Sequence, residues 1–76
     1  MNVVITGANS AVGQAILRCG AKPGATNTFV AAVRSQRAAE EIRPLLGAEN
    51  SLVQISYDDP GSLRAAFQGA SAVIHL

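Results

Sequence analysis

Asn2-Val3-Val4-Ile5-Thr6-Gly7-Ala8-Asn9-Ser10-Ala11-Val12-Gly13-Gln14-Ala15-Ile16-Leu17 is the stretch from which the rest of the chain can be read. Its first five residues are almost unbroken in apolar character, the pattern of a strand buried on both faces in a parallel sheet. A turn bearing Gly7 follows, and then an amphipathic helix from about Ala11 to Cys19, with Val12, Ala15, Ile16 and Cys19 on one face. A strand handed directly to a helix in this way makes an anion site. The first N–H groups of the helix lack internal partners, and the helix dipole places partial positive charge on them. Gly7, Ala8, Asn9, Ser10, Ala11, Val12 and Gly13 are therefore the candidate contacts to a pyrophosphate. Gly7 keeps the tight turn clear of a side chain. Gly13, one turn into the helix, either lets the helix pack closely on the strand or lets a ligand approach. The middle small position of such a loop falls on Ser10 or Ala11.

Downstream, strand and helix signals alternate. Gly20 is a candidate C-cap for the first helix, and Pro23 cannot continue it. Ala21 to Thr28 reads as a polar loop with Lys22, Pro23, Gly24 and Asn27. Phe29 to Val33 is the second strand. A second helix starts near Ser35, with Ala38, Ala39 and Ile42 inward, and Pro44 is expected to end or kink it at Arg43. After the turn Gly47-Ala48-Glu49-Asn50, residues 51–56 form the third strand. Asp59 then reads as an N-cap with Pro60 at the first helical position. Leu63, Ala66 and Phe67 form the inner face of the third helix, Gly69 closes it, and Ala72 to Leu76 is the fourth strand. This alternation implies right-handed crossovers and a parallel sheet in the order 3-2-1-4. The fold class is α/β, the N-terminal half of a doubly wound Rossmann sheet with β-α-β-α-β-α-β topology.

Composition narrows the class of partner. The chain has 76 residues, 49% hydrophobic and 14% charged, with a net charge of +1 and its basic residues scattered, which recommends neither nucleic acid nor an anionic membrane. One cysteine, Cys19, excludes an internal disulfide and suits a reducing, cytoplasmic setting, and its spacing from Val12 predicts a packed or half-buried thiol. No apolar run is long enough to span a bilayer, and no leader pattern follows Met1. So apolar a composition in so short a chain, with a strand-like run at Ala72-Val73-Ile74-His75-Leu76 and no turn or polar tail after it, points to the N-terminal piece of a longer protein. Residues 1–76 then form one half-domain of the doubly wound fold.

In open parallel sheets ligands bind outside the carboxyl ends of the strands. Those ends here are Thr6-Gly7, Arg34-Ser35, Ser56-Tyr57-Asp58 and His75-Leu76. At the end of the second strand, an Asp or Glu would accept hydrogen bonds from the ribose hydroxyls of NAD. Arg34 cannot accept, but it can grip the 2′-phosphate of NADP in a charge-assisted fork. Ser35 adds a hydroxyl and Arg37 a second cation one turn on, at a helix start where an anion would relieve their opposition to the dipole. The plainer reading of the two arginines is a solvated surface pair. His75 either flanks the adenine ribose or is a packed histidine with one hydrogen bond, and Leu76 and Ala8 supply backbone or van der Waals contacts. NADP is thus the preferred cofactor, with NAD the other.

Val4-Ile5-Thr6-Gly7-Ala8-Asn9-Ser10-Ala11-Val12-Gly13 resembles the Thr-Gly-x-x-Gly-x-x-Gly or Thr-Gly-x-x-x-Gly-x-Gly loop of the short-chain dehydrogenase/reductase superfamily. The closer likeness is to the extended and atypical branches, the NAD-dependent epimerase/dehydratase-like and NAD(P)H-binding proteins. Phe29-Val30-Ala31-Ala32-Val33-Arg34-Ser35 resembles the second strand of that branch. Asp58-Asp59-Pro60-Gly61-Ser62-Leu63 through Ala72-Val73-Ile74-His75-Leu76 resembles its third loop, helix and fourth strand. The departure is the missing middle glycine. The resemblance implies that Asp58 meets the adenine amino group, while the residues alone allow equally a turn role.

The tyrosine–lysine pair used by reductases of this superfamily is not in this stretch. The single tyrosine, Tyr57, has Gly61 four positions later, and the single lysine is Lys22. No Cys/His cluster suggests a metal. The segment is read as binding rather than catalytic: the cofactor half of an NAD(P)-dependent oxidoreductase or epimerase/dehydratase-like enzyme. Its small-molecule substrate would be held by further residues. The alternative is a non-catalytic NADP(H)-binding regulator or assembly subunit of the same fold.

Overall fold

The computed structural model describes residues 1–21, 24 and 26–76, so the loop expectations for Lys22 and Pro23 lie outside the described residues. Strand β1 (Asn2–Thr6) leads to helix α1 (Ala11–Gly20), then β2 (Thr28–Val33), α2 (Gln36–Leu46), β3 (Ser51–Gln54), α3 (Pro60–Phe67) and β4 (Ala72–His75). All strand pairs are parallel, and the sheet runs β3-β2-β1-β4. This is the α/β order that the alternation of apolar runs and turn residues predicts. β1 and β2 lie in the middle of the sheet, and their apolar runs Val3–Ile5 and Phe29–Val33 fit strands covered on both faces.

The pleat of these two strands divides the core. Val3 and Ile5 of β1 join Phe29, Ala31 and Val33 of β2 against Leu17 of α1 and Ala38, Ala39, Ile42 and Leu46 of α2. Val4 and Ala32 point the other way, onto Ile55 and Ala66, with Leu63 and Phe67 of α3 packed beside them. Two helices thus cover one face and a single short helix covers the other. Asn50 ties α2 to the sheet. Its Oδ1 accepts from the Phe29 N–H (2.7 Å), and its Nδ2 donates to the Leu46 carbonyl (2.6 Å) in the last turn of α2.

Several local expectations are corrected. The face of α1 that packs on the sheet is the one bearing Gly13 and Leu17. Val12, Ala15 and Cys19 are exposed, and with Ile16, Gly20 and Phe29 they line an open apolar groove. The Cys19 thiol is accordingly exposed rather than packed. Gly20 belongs to the helix itself, with Ala21 as the cap. A Cβ on Gly20 would come within 2.8 Å of the Phe29 ring, so its smallness serves packing. Helix α2 runs through Pro44 to Leu46. The helix continues for only two residues beyond the proline, and burial of Leu46 accompanies that last turn. β3 ends at Gln54, although the Ile55 N–H still bonds the Val33 carbonyl (2.8 Å).

Candidate functional site

The carboxyl ends of the strands gather at one edge, and the loop after β1 is the centre of it. Gly7 has φ +61, the left-handed conformation that glycine adopts without strain. A Cβ there would also press to 2.9 Å from the Leu76 carbonyl oxygen, so Gly7 lets the end of β4 close onto the loop. The Ser10 N–H bonds the Gly7 carbonyl (2.9 Å) and closes the turn, and Gln14 Nε2 donates to the Asn9 carbonyl (2.8 Å). Gly13 serves packing: a Cβ there would lie 2.5 Å from the Ala8 carbonyl oxygen and 2.8 Å from the Ala8 Cα. Any side chain would push α1 off the loop.

Ser10 is the N-cap of α1. Its hydroxyl accepts from the Gly13 N–H (3.1 Å), and its carbonyl takes the Gln14 N–H (2.9 Å). The first-turn N–H groups of Ala11 and Val12 have no acceptor among the described residues, and no acidic side chain stands in that turn. Two donors at the positive end of a helix, beside an exposed serine hydroxyl and without a carboxylate, match an anionic ligand. The residues present therefore fit the phosphates of a dinucleotide.

The other strand ends surround this loop. Arg34 follows β2 and is exposed, and its guanidinium carbon lies 5.3 Å from the centroid of the Tyr57 ring. Ser35 caps α2, its hydroxyl accepting from the Ala38 N–H (3.1 Å), and Arg37 is exposed in the first turn of the same helix. Asp59 caps α3 by accepting from the Gly61 N–H (3.0 Å), as its position before Pro60 predicts. Asp58 is exposed in the preceding turn, where its N–H bonds the Ser56 hydroxyl (3.3 Å). His75 is exposed at the end of β4, with Nδ1 at 2.7 Å from Thr6 Oγ1. The Leu76 N–H donates to the same hydroxyl (3.2 Å). The Tyr57 and His75 rings form a T-shaped pair, centroids 6.1 Å apart.

The structure thus brings the loop residues 7–13 together with His75 and Leu76, and it sets Arg34, Ser35 and Arg37 on the neighbouring strand end. Two residues at this edge, Thr6 and Tyr57, carry contacts that sequence reasoning did not assign to the site. Both stand among the strand ends read from the sequence, but nothing local names the partners they find there, and Tyr57 lies in the turn after β3. Thr6 is the one polar residue of β1 to be fully buried, and a buried hydroxyl demands partners.

Residues 3–76 match the family model for the NAD dependent epimerase/dehydratase family. The chain belongs to that family. The match spans every element of the sheet, so the epimerase/dehydratase assignment and the strand–turn–helix geometry rest on the same residues. A family described as NAD dependent accords with a helix start that offers unpaired N–H donors at the carboxyl edge. No curated protein matches the chain. Among the described residues of this epimerase/dehydratase-family chain, no helix is long and apolar enough to cross a membrane.

Proposed function

We propose that the chain binds a nicotinamide dinucleotide across the carboxyl edge of its sheet, with NADP(H) preferred over NAD(H). It would serve as the cofactor half of an NAD(P)-dependent oxidoreductase or epimerase/dehydratase-like enzyme. The observation that carries this reading is the start of α1, where the Ala11 and Val12 N–H groups and the Ser10 hydroxyl face outward with no acidic side chain in the first turn. Those groups would hold the pyrophosphate. Arg34, at the end of the adjacent strand and exposed, would take the 2′-phosphate, with Ser35 and Arg37 beside it. His75 and Leu76 would flank the adenine ribose, and Asp58 the adenine amino group. The bound nicotinamide supplies hydride transfer, while residues 1–76 position it. Catalytic groups and substrate would belong to further residues, residues 1–76 being one half-domain of the enzyme.

The test is a titration of the chain with NADPH and NADH, followed by nicotinamide fluorescence, on the wild type and on Arg34→Ala. NADPH is expected to bind more tightly. Arg34→Ala is expected to weaken NADPH about tenfold, the low end for charge-assisted hydrogen bonds at an exposed site, and to leave NADH unchanged. An unchanged ratio of the two affinities would remove Arg34 from the 2′-phosphate. Absence of binding by either nucleotide would remove the dinucleotide reading itself.

A further inference from the structure

The Tyr57 side chain crosses the sheet edge. Tyr57 follows β3, and His75 ends β4, and these strands are the two outermost of the sheet. Three strand spacings separate them, about 14 Å at the usual distance between neighbours. The Tyr57 ring nonetheless reaches within 6.1 Å of the His75 ring, in an edge-to-face arrangement. The Arg34 guanidinium carbon lies over that same ring at 5.3 Å, inside the distance at which a cation is attracted to an aromatic face. The row is anchored at its inner end, because His75 Nδ1 is hydrogen-bonded to Thr6 Oγ1 (2.7 Å) and Thr6 is fully buried. From core to rim the order is Thr6, His75, Tyr57, Arg34.

We propose that Tyr57 is a positioning residue for Arg34 and thereby a determinant of 2′-phosphate specificity, an inference that rests on the dinucleotide reading above. A free arginine at a strand end samples many rotamers, and ordering it on binding costs side-chain entropy. Contact with the Tyr57 ring restricts the guanidinium beforehand, and the ring cannot accept the forked hydrogen bonds that a phosphate would take. Tyr57 itself packs against the His75 ring, centroids 6.1 Å apart. The aromatic ring, not the phenol hydroxyl, supplies the effect.

The experiment measures NADPH and NADH affinities of the 76-residue chain as wild type, Tyr57→Phe and Tyr57→Leu. Tyr57→Leu is expected to weaken NADPH about three- to fivefold, the scale of an exposed cation–π contact, and to leave NADH unchanged. Tyr57→Phe is expected to keep the wild-type ratio. Equal weakening of both nucleotides by Tyr57→Leu, or no weakening, would overturn the proposal while leaving the dinucleotide reading in place. So would loss of the preference in Tyr57→Phe. A wild type that binds neither nucleotide would overturn both, and one that prefers NADH would overturn the proposal and the NADP(H) preference while keeping the dinucleotide. Should Tyr57→Leu not fold, the wild type still decides, because Tyr57 is the only tyrosine and the chain has no tryptophan. Its emission is expected to respond to 2′-AMP at concentrations where 5′-AMP has no effect, and an equal response to the two would overturn the proposal.

Discussion

Thr6 concentrates at one hydroxyl several of the contacts that close the carboxyl edge of the sheet. Its side chain is fully buried, accepts from the Leu76 N–H (3.2 Å), and lies 2.7 Å from His75 Nδ1. The hydroxyl also reaches the Ile74 carbonyl, at 3.5 Å. Thr6 Oγ1 and His75 Nδ1 share one hydrogen bond, whose direction follows the imidazole tautomer. Thr6→Val keeps the shape of the side chain and removes these partners. The exposed His75 can turn to water, so the cost falls mainly on the Leu76 N–H and the β1–β4 junction, about 1–2 kcal/mol. Urea unfolding of the two proteins would measure it. A cost near zero would mean that the hydroxyl holds nothing at this edge.

At the scale of the element, α1 shows how far an apolar pattern can mislead. Val12, Ala15, Ile16 and Cys19 recur at i, i+3, i+4 and i+7, which is the template of a buried helix face. The helix in fact turns Gly13 and Leu17 inward. Gly13 offers no side chain for a hydrophobicity count to register, yet its missing Cβ is what lets the helix reach the Ala8 backbone. Close backbone approach set the phase, and a tally of apolar side chains could not see it. Pro44 was expected to end or kink α2 at Arg43, and the helix does not end there: it runs on to Leu46, which is buried in its last turn. By contrast, Asp59-Pro60, the apolar runs of β1 and β2, and the strand order were legible, because caps, turns and unbroken apolar stretches are written locally. Tyr57 was not legible as a neighbour of His75, since the strand order sets β3 and β4 at opposite edges of the sheet and only the path of the turn after β3 brings the ring across. The phase of α1 gives a paired prediction. Leu17→Ala should cost about 2–5 kcal/mol, as a large side chain deleted from the core. Val12→Ser, at 58% exposure on the same helix, should stay within about 0.5 kcal/mol of the wild type. Equal costs by urea unfolding would restore the face that the sequence pattern suggested.

The molecule as a whole is a four-stranded sheet whose two layers of core share β1 and β2, with two helices on one face and one on the other. A domain of 76 residues buries a smaller fraction of its surface than a larger one, and its stability is correspondingly marginal. The groups proposed to meet the dinucleotide come from β1 and its loop, from the end of β2, from the turn after β3 and from the end of β4, so each strand of the sheet contributes. A ligand held by all of them binds the folded sheet and not the unfolded chain. Linkage then adds about 2.7 kcal/mol of stability when NADPH is present at a hundred times its dissociation constant. Each kcal/mol moves the midpoint of a domain of this size by about 4–8 °C, so Tm should rise by about 10–20 °C. NADH at the same concentration, if it binds about tenfold more weakly, adds about 1.4 kcal/mol and should raise Tm by roughly half as much. Thermal melts of the chain with each nucleotide would check both numbers without any variant. Equal shifts would remove the preference for the 2′-phosphate while keeping the dinucleotide. No shift with either would mean that the outward donors at the start of α1 serve some ligand other than a nicotinamide nucleotide.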